Sequence, residues 1–435
     1  MRTPWDSINR HFTHTRNDRK VDIVAPPELA PHVVNMFSHT ASRHTGRRRG
    51  FSQMTGHLPD DTALLLLPLL LLLLLIGFAC VSTLARNQRE TITAATFRSR
   101  HAAAHGYDVA LLSHGITAFQ TVGMQSGASH QTPITIVHGA TIASLAYLPL
   151  ARAFATHGYR VLVYDGFGRG FSDRLGQCSL GSRPGPRPVS MDVLVGQLLE
   201  LLDHLAIERT VLYGTSLGAA IIACFAARHP ERVLACGFEA PLIRPPPSHK
   251  LTLLAVAARV LPPLARWLGR VAMVPAMRAR GDSFGDDEDA RVLSDRFRDQ
   301  FEVLGHEADL LSLLTGNAVR GDRTQDHVAI GARALPVSFA YALSDAEMPR
   351  ALVERTIALH PQPVVSAYEG GHFFSNGRQA ELARAFDAFL RGALHARDFM
   401  KSQSVISHSA PRPADAPVPV AAVRRRPSRS PLRYK

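Results

Sequence analysis

Cysteine and lysine are both scarce in this 435-residue chain. Four cysteines are too few for a disulfide framework, so core packing has to hold the fold together. Lysine occurs only at Lys20, Lys250, Lys401 and Lys435, which leaves 45 of the 49 basic residues as arginine. That skew follows base composition, and it weakens the nucleic-acid reading that a net charge of +13 invites. No lysine stands in a Gly-x-x-x-x-Gly-Lys context, which excludes that phosphate-cradling loop. Gly166-Phe167-Gly168-Arg169-Gly170 has Phe171 where a dinucleotide loop needs its third glycine. Histidines and cysteines lack metal-ligand spacing. None of the six asparagines lies in a glycosylation acceptor. The expectation is a protein that uses no cofactor, no metal and no nucleic-acid partner.

The charge that is present sits at the ends. Residues 1–61 hold nine basic against six acidic side chains, and residues 401–435 hold eight against one. Both stretches lack sustained periodicity, the second being low-complexity and basic, and both read as disordered. Between them, Thr62 to Ala85 is a run of 24 residues without a charge, including Leu64–Leu67 and Leu69–Leu75 around Pro68. As a helix it would be roughly 36 Å long, against about 30 Å of bilayer hydrocarbon. The expectation is one N-terminal transmembrane helix at 62–85 and a single-pass membrane protein. The basic flanks, Arg47–Arg49 upstream and Arg86, Arg89, Arg98 and Arg100 downstream, leave the orientation open. A start at Met54 would instead make the run a signal peptide, with Thr83-Leu84-Ala85 as cleavage site and a secreted product.

From residue 107 onward, short β-branched runs alternate with helical patterns, the signature of a mostly parallel sheet with helices on both faces. Eight strands are predicted near 108–113, 117–122, 133–137, 160–164, 209–213, 233–238, 336–342 and 363–368. The first two are close enough for a hairpin. Helices are predicted at 142–157, 190–205, 216–228 and 378–394. Residues 243–331, after the sixth strand, are too long for a loop and helical in pattern (251–277, 289–314), as a cap would be.

The chemistry lies on strand ends. Gly214-Thr215-Ser216-Leu217-Gly218 is a Gly-x-Ser-x-Gly sequence between a strand and a helix. Such a turn is so sharp that its apex residue is strained and flanking glycines are needed to raise the serine hydroxyl above the sheet. A serine needs a base, and the base a carboxylate. Downstream, one strand ends in Leu343-Ser344-Asp345 and the next in Gly370-Gly371-His372, the chain order this architecture uses. Ser216, Asp345 and His372 are therefore the candidate catalytic residues, with Glu239 and Glu347 as rival acids. The oxyanion donors are expected from Leu217, after the nucleophile, and Ala140, after the third strand. His138 beside that loop is read as structural.

These motifs resemble the α/β-hydrolase superfamily, in its capped serine-hydrolase branch of esterases and monoglyceride-lipase-like enzymes. The matching residues are His138-Gly139, Tyr164 to Arg174, Gly214 to Gly218, Asp345 and Gly371-His372, within about 105–395. The resemblance implies a Ser-Asp-His triad, cofactor-free cleavage of an ester, thioester or amide, and a cap that shapes substrate choice. Two departures are the Pro- and Gly-rich stretch 176–189 and the absence of a glycine before Asp345. Serine rather than aspartate at the elbow disfavours alkyl-enzyme chemistry. The apolar cap stretch 251–277, with Arg259, Arg266 and Arg270 on one helical face, together with the anchor points to a hydrophobic or lipid-like ester. Acyl transfer to an alcohol by the same residues, or a catalytically silent membrane scaffold, are the alternatives.

Overall fold

The computed structural model describes residues 68–75, 77–79, 81, 90–123, 132–175, 188–245, 248–283 and 288–408. The strands are β1 (Asp108–Leu112), β2 (Gly115–Val122), β3 (Pro133–Val137), β4 (Arg160–Tyr164), β5 (Thr210–Thr215), β6 (Val233–Glu239), β7 (Val337–Ala342) and β8 (Val364–Tyr368). They form one sheet in the order β1-β2-β4-β3-β5-β6-β7-β8. β1 and β2 form an antiparallel hairpin, β2 pairs antiparallel with β4, and every other pair is parallel. Central strands of a parallel sheet are covered on both faces and so read as unbroken apolar runs. Accordingly, every residue of β5 is buried.

The helices outside the cap are α1 (Ala94–His101), α2 (Leu148–Thr156), α3 (Met191–His204) and α4 (Leu217–Arg228). The cap region contributes α5 (His249–Val260), α6 (Pro262–Leu268), α7 (Val274–Ala279), α8 (Glu288–Asp299) and α9 (His306–Thr315), followed by α10 (Thr324–Ala332), α11 (Arg350–Ile357) and α12 (Gln379–His408). Leu194, Leu198 and Leu201 of α3 and the apolar length of α4 pack one sheet face. Phe154 of α2 and Leu382, Phe386 and Leu390 of α12 pack the other. Ser190 caps α3 by accepting the Val193 amide at 3.3 Å, and Ser248 caps α5 in the same way through Leu251.

The cap differs in detail from the two helices the pattern suggests. Its first stretch breaks at Leu261, because Pro262 has no N–H to continue the ladder, and again at a π-helical turn over Gly269–Met273. The second half is stitched to the loops below it. His306 Nδ1 donates to the Gly168 carbonyl, Leu175 N–H donates to Asp309, Val189 N–H to Ser312 and Gln300 Nε2 to the Thr141 carbonyl. α12 runs on through His408, into the stretch read as tail; residues 409–435 lie outside the described residues.

The transmembrane helix expected over 62–85 lies partly outside the described residues. Among those described, no helix is long and apolar enough to cross a membrane. Residues 68–75, 77–79 and 81 are helical, and Leu69–Leu75 are 52–64% exposed. Residues 1–61 and most of 176–189 also lie outside the described set.

Candidate active site

In an open parallel sheet the crevice above the carboxyl ends of the strands is where loops from several strands meet. β5 delivers Ser216 there with φ 54° and ψ −116°, a conformation an L-residue adopts only under constraint. The constraint is visible: Ser216 N–H donates to Glu239 O, and Ser216 O accepts the amides of Ala219 and Leu242. The two elbow glycines are required by space. A Cβ on Gly214 would lie 2.5 Å from Gly218 O, and one on Gly218 would lie 1.9 Å from Val137 O.

Asp345 follows β7 and His372 follows β8. His372 Nδ1–H donates to Asp345 Oδ2 at 2.9 Å, and Ser216 Oγ–H donates to His372 Nε2 at 3.1 Å. Asp345 Oδ1 accepts the amides of Glu347 and Met348. Burial pushes the Asp345 carboxyl up, but the His372 contact and those two amides outweigh it and hold it below its ordinary value. Burial likewise disfavours the His372 imidazolium, yet the Asp345 hydrogen bond and the Glu347 charge outweigh it and raise His372. The ring is therefore oriented by Asp345 and made more basic by it.

The rival acids stand elsewhere. Glu239 is buried beneath the elbow and accepts Tyr213 Oη–H at 2.7 Å; burial raises its pKa. Glu347 lies 3.7 Å from Nε2, on the serine side of the ring, and pairs with Arg280 at 2.9 Å. Of the three carboxyl groups, only Asp345 hydrogen-bonds Nδ1 among the described residues.

Ala140 and Leu217 line one narrow cleft, together with His138, Gly139 and Phe167. Leu217 is the first residue of α4, so its N–H has no intrahelical acceptor. His138 braces the Ala140 loop: its Nε2 accepts Gly166 N–H at 2.8 Å, so Nδ1 carries the proton and donates to Gly139 O at 2.7 Å. Burial lowers its pKa, in keeping with a neutral ring. A residue to which sequence reasoning gave no role at the site is Arg169, buried next to the oxyanion loop with Nε donating to Ala140 O at 2.5 Å. The flanking Gly168 and Gly170 were the available signal, since both adopt positive φ and turn the loop inward.

Residues 132–267 match the family model for the alpha/beta hydrolase fold. The chain is 36% identical over 111 residues to a 2-hydroxy-6-oxononadienedioate/2-hydroxy-6-oxononatrienedioate hydrolase of Paraburkholderia phymatum, covering 25% of this chain and 35% of that one. It is 32% identical over 103 residues to a 2-hydroxymuconate semialdehyde hydrolase of Pseudomonas sp. strain CF600, covering 23% and 33%. It thus spans about a third of the length of the curated relatives it matches. Among solved structures, the enol-lactonase of Burkholderia xenovorans LB400 superposes with a TM-score of 0.51 at 20% identity, over 65% of this chain and 100% of that one. With its sheet order, its serine at a strained strand–helix turn and the matched segment that holds that turn, the chain has the alpha/beta hydrolase fold.

Proposed function

We propose that the protein is a serine hydrolase that cleaves carboxylic esters through an acyl-enzyme. The observation that carries this reading is the unbroken contact chain from Ser216 Oγ through the His372 ring to Asp345, on a serine held at positive φ. In the reaction, His372 Nε2 takes the hydroxyl proton as Ser216 Oγ bonds to the ester carbonyl carbon. The negative charge on the carbonyl oxygen is met by the amides of Leu217 and Ala140. The imidazolium, stabilised by Asp345, passes its proton to the departing alkoxide. Water, deprotonated by the same histidine, then releases the acid and regenerates the serine.

The substrate in this reading is a hydrophobic or lipid-like ester, met at a membrane to which residues 62–85 tether the chain. Support comes from the uncharged 24-residue run, from the exposed Leu69–Leu75, and from exposed Leu253, Val256 and Val260 along cap helix α5. Phe78 also packs edge-on to Trp267 of α6 at 5.9 Å, joining the apolar stem to the cap. The test is fluorophosphonate labelling of the full-length protein beside Ser216→Ala, followed by a panel of lipid and short-chain esters. Labelling that persists in Ser216→Ala overturns the hydrolase reading. Release of the protein from membranes by alkaline carbonate overturns the tether.

A further inference from the structure

Helix α9 has no cap of its own. Its N-cap residue is Gly305, so the amides of the first turn, which lack intrahelical acceptors, need an oxygen from elsewhere. Glu90, just beyond the uncharged run 62–85, supplies it. Its Oε2 accepts Gly305 N–H at 3.0 Å and its Oε1 accepts Glu307 N–H at 2.9 Å, at the end of the helix that favours a carboxylate. The residues beside Glu90 are paired as well. Thr91 and Ile92 N–H donate to Glu302 O, Leu304 N–H donates to Ile92 O, and Ile92 forms a parallel bridge with Val303. Ile92 also packs on the buried cluster of Val303, Phe97 and Phe171. Residues 90–92 thus form a strap fixed to the segment that opens α9.

The same turn of α9 holds the oxyanion loop. His306, between the two residues whose amides Glu90 accepts, is buried, and its Nδ1 donates to Gly168 O at 3.1 Å. Gly168 precedes Arg169, whose Nε donates to Ala140 O. Gln300, just before the strap's partner Glu302, donates to Thr141 O at 3.3 Å. Glu307 pairs in turn with Arg270 of the first cap stretch at 2.6 Å. Hydrogen bonds and adjoining residues therefore connect Glu90, through the start of α9, to the loop that carries Ala140. We propose that Glu90 is a positioning residue for the reaction: by capping α9 it fixes His306, and through Gly168 and Arg169 it fixes the Ala140 amide in the oxyanion hole. Turnover then depends on the segment leading out of the apolar run, although that segment supplies none of the reacting groups. This deepens the hydrolase reading and rests on it.

The test uses the full-length protein beside Glu90→Ala, Glu90→Gln and Thr93→Ala. Displacing the oxyanion amide by about 1 Å predicts a fall in kcat of roughly 10- to 100-fold in Glu90→Ala, with KM within about twofold. Glutamine keeps the shape and one acceptor, so Glu90→Gln should recover part of the loss. Thr93 caps α1 by accepting Thr96 N–H and makes no bond to α9 among the described residues, so Thr93→Ala should leave kcat in place. A trifluoromethyl ketone reads the hole itself. Ser216 Oγ bonds to its carbonyl carbon, the π pair moves onto the oxygen and the serine proton passes to His372. Its inhibition constant should rise in Glu90→Ala by about the factor by which kcat falls. If Glu90→Ala melts lower yet, below its melting temperature, turns over and binds the ketone like the wild type, Glu90 only stabilises the cap and the proposal is overturned. An equal loss of kcat in Thr93→Ala overturns it too. Should Glu90→Ala not fold, hydrogen exchange on the wild type decides: the ketone adduct should slow exchange at 90–93 and 303–309 as well as at 138–141, and slowing confined to 138–141 overturns the proposal. A wild type that forms no adduct is a different result, and it removes the hydrolase reading and this inference with it.

Discussion

Gly218→Ala puts a single methyl group where the elbow and the oxyanion loop meet. The new Cβ would lie 1.9 Å from Val137 O, 2.6 Å from Val137 C and 2.8 Å from His138 O, all backbone atoms that no rotamer change can move. Restoring an ordinary contact of about 3.5 Å requires β3 and α4 to separate by roughly 1.5 Å. Overpacking of this kind costs about 1–3 kcal/mol, and at roughly 2–4 °C per kcal/mol the melting temperature should fall by about 2–12 °C. The same separation draws Ala140 away from Leu217. Loss of one oxyanion donor lowers kcat by about 10²–10³, so the rate should fall further than the stability loss alone explains. Gly196→Ala is the internal control: it lies within α3 with nothing within 4 Å of its built Cβ, so a methyl there should leave stability unchanged or raised. Differential scanning fluorimetry and steady-state hydrolysis of a soluble ester measure both quantities. If Gly218→Ala melts and turns over like the wild type, the close approach of the elbow to β3 is not what shapes the oxyanion hole.

Three further outcomes follow from the same geometry. Asp345→Asn leaves Nδ1 without an anionic acceptor and should lower kcat by about 10⁴ while the fold persists, as read by labelling rate and circular dichroism. Because His372 must be neutral to act as base and its pKa is raised, activity should climb with pH on a limb lying above the ordinary histidine value; Glu347→Gln removes one cause of that rise, so the limb should move to lower pH in a kcat/KM profile. His327 and His360 are buried against each other at 3.1 Å, and burial depresses them to about 3 and about 4. The unfolded chain therefore binds protons at these sites below about pH 6.5 when the folded one does not, and stability present above that pH is lost as it falls, by about 2 kcal/mol at pH 5 for His327 alone. His327→Leu should flatten this acid limb in urea melts; an unchanged slope would refute the assignment.

The sheet was legible because its strands are short apolar runs bounded by turn residues. β3 and β4 fall where the pattern places them, and β5, buried along its whole length, runs straight into the elbow. Strand order and the ends of strands also suffice to bring Ser216, Asp345 and His372 into one crevice. Choosing among the carboxyl groups was harder, because a strand end fixes a residue's neighbourhood and not the direction of its side chain. Glu239 sits at such an end yet turns toward Tyr213, and Glu347 reaches the wrong nitrogen of the ring. Arg169 was hidden for a different reason. Within a glycine-rich run an arginine reads as solvated, and here its burial depends on Asp309 and His306, brought over the loop by the distant α9. The break in the first cap stretch was written in Pro262 and Pro263, but apolar periodicity continues across it and masks the interruption.

The two halves of the cap differ in how freely they can diverge. The turn Gln300–Glu302 and α9 are tied by hydrogen bonds to the loops after β3 and β4, so a change there disturbs the oxyanion loop and Arg169 together. α5 presents exposed apolar side chains, and α5 and α6 carry no such ties to those loops among the described residues. Variation in what enters the crevice can accumulate on α5 and α6 while the reacting centre stays intact. Grafting that segment from a relative is the natural route to a new substrate range, whereas replacing the entire cap would dismantle the machinery it covers.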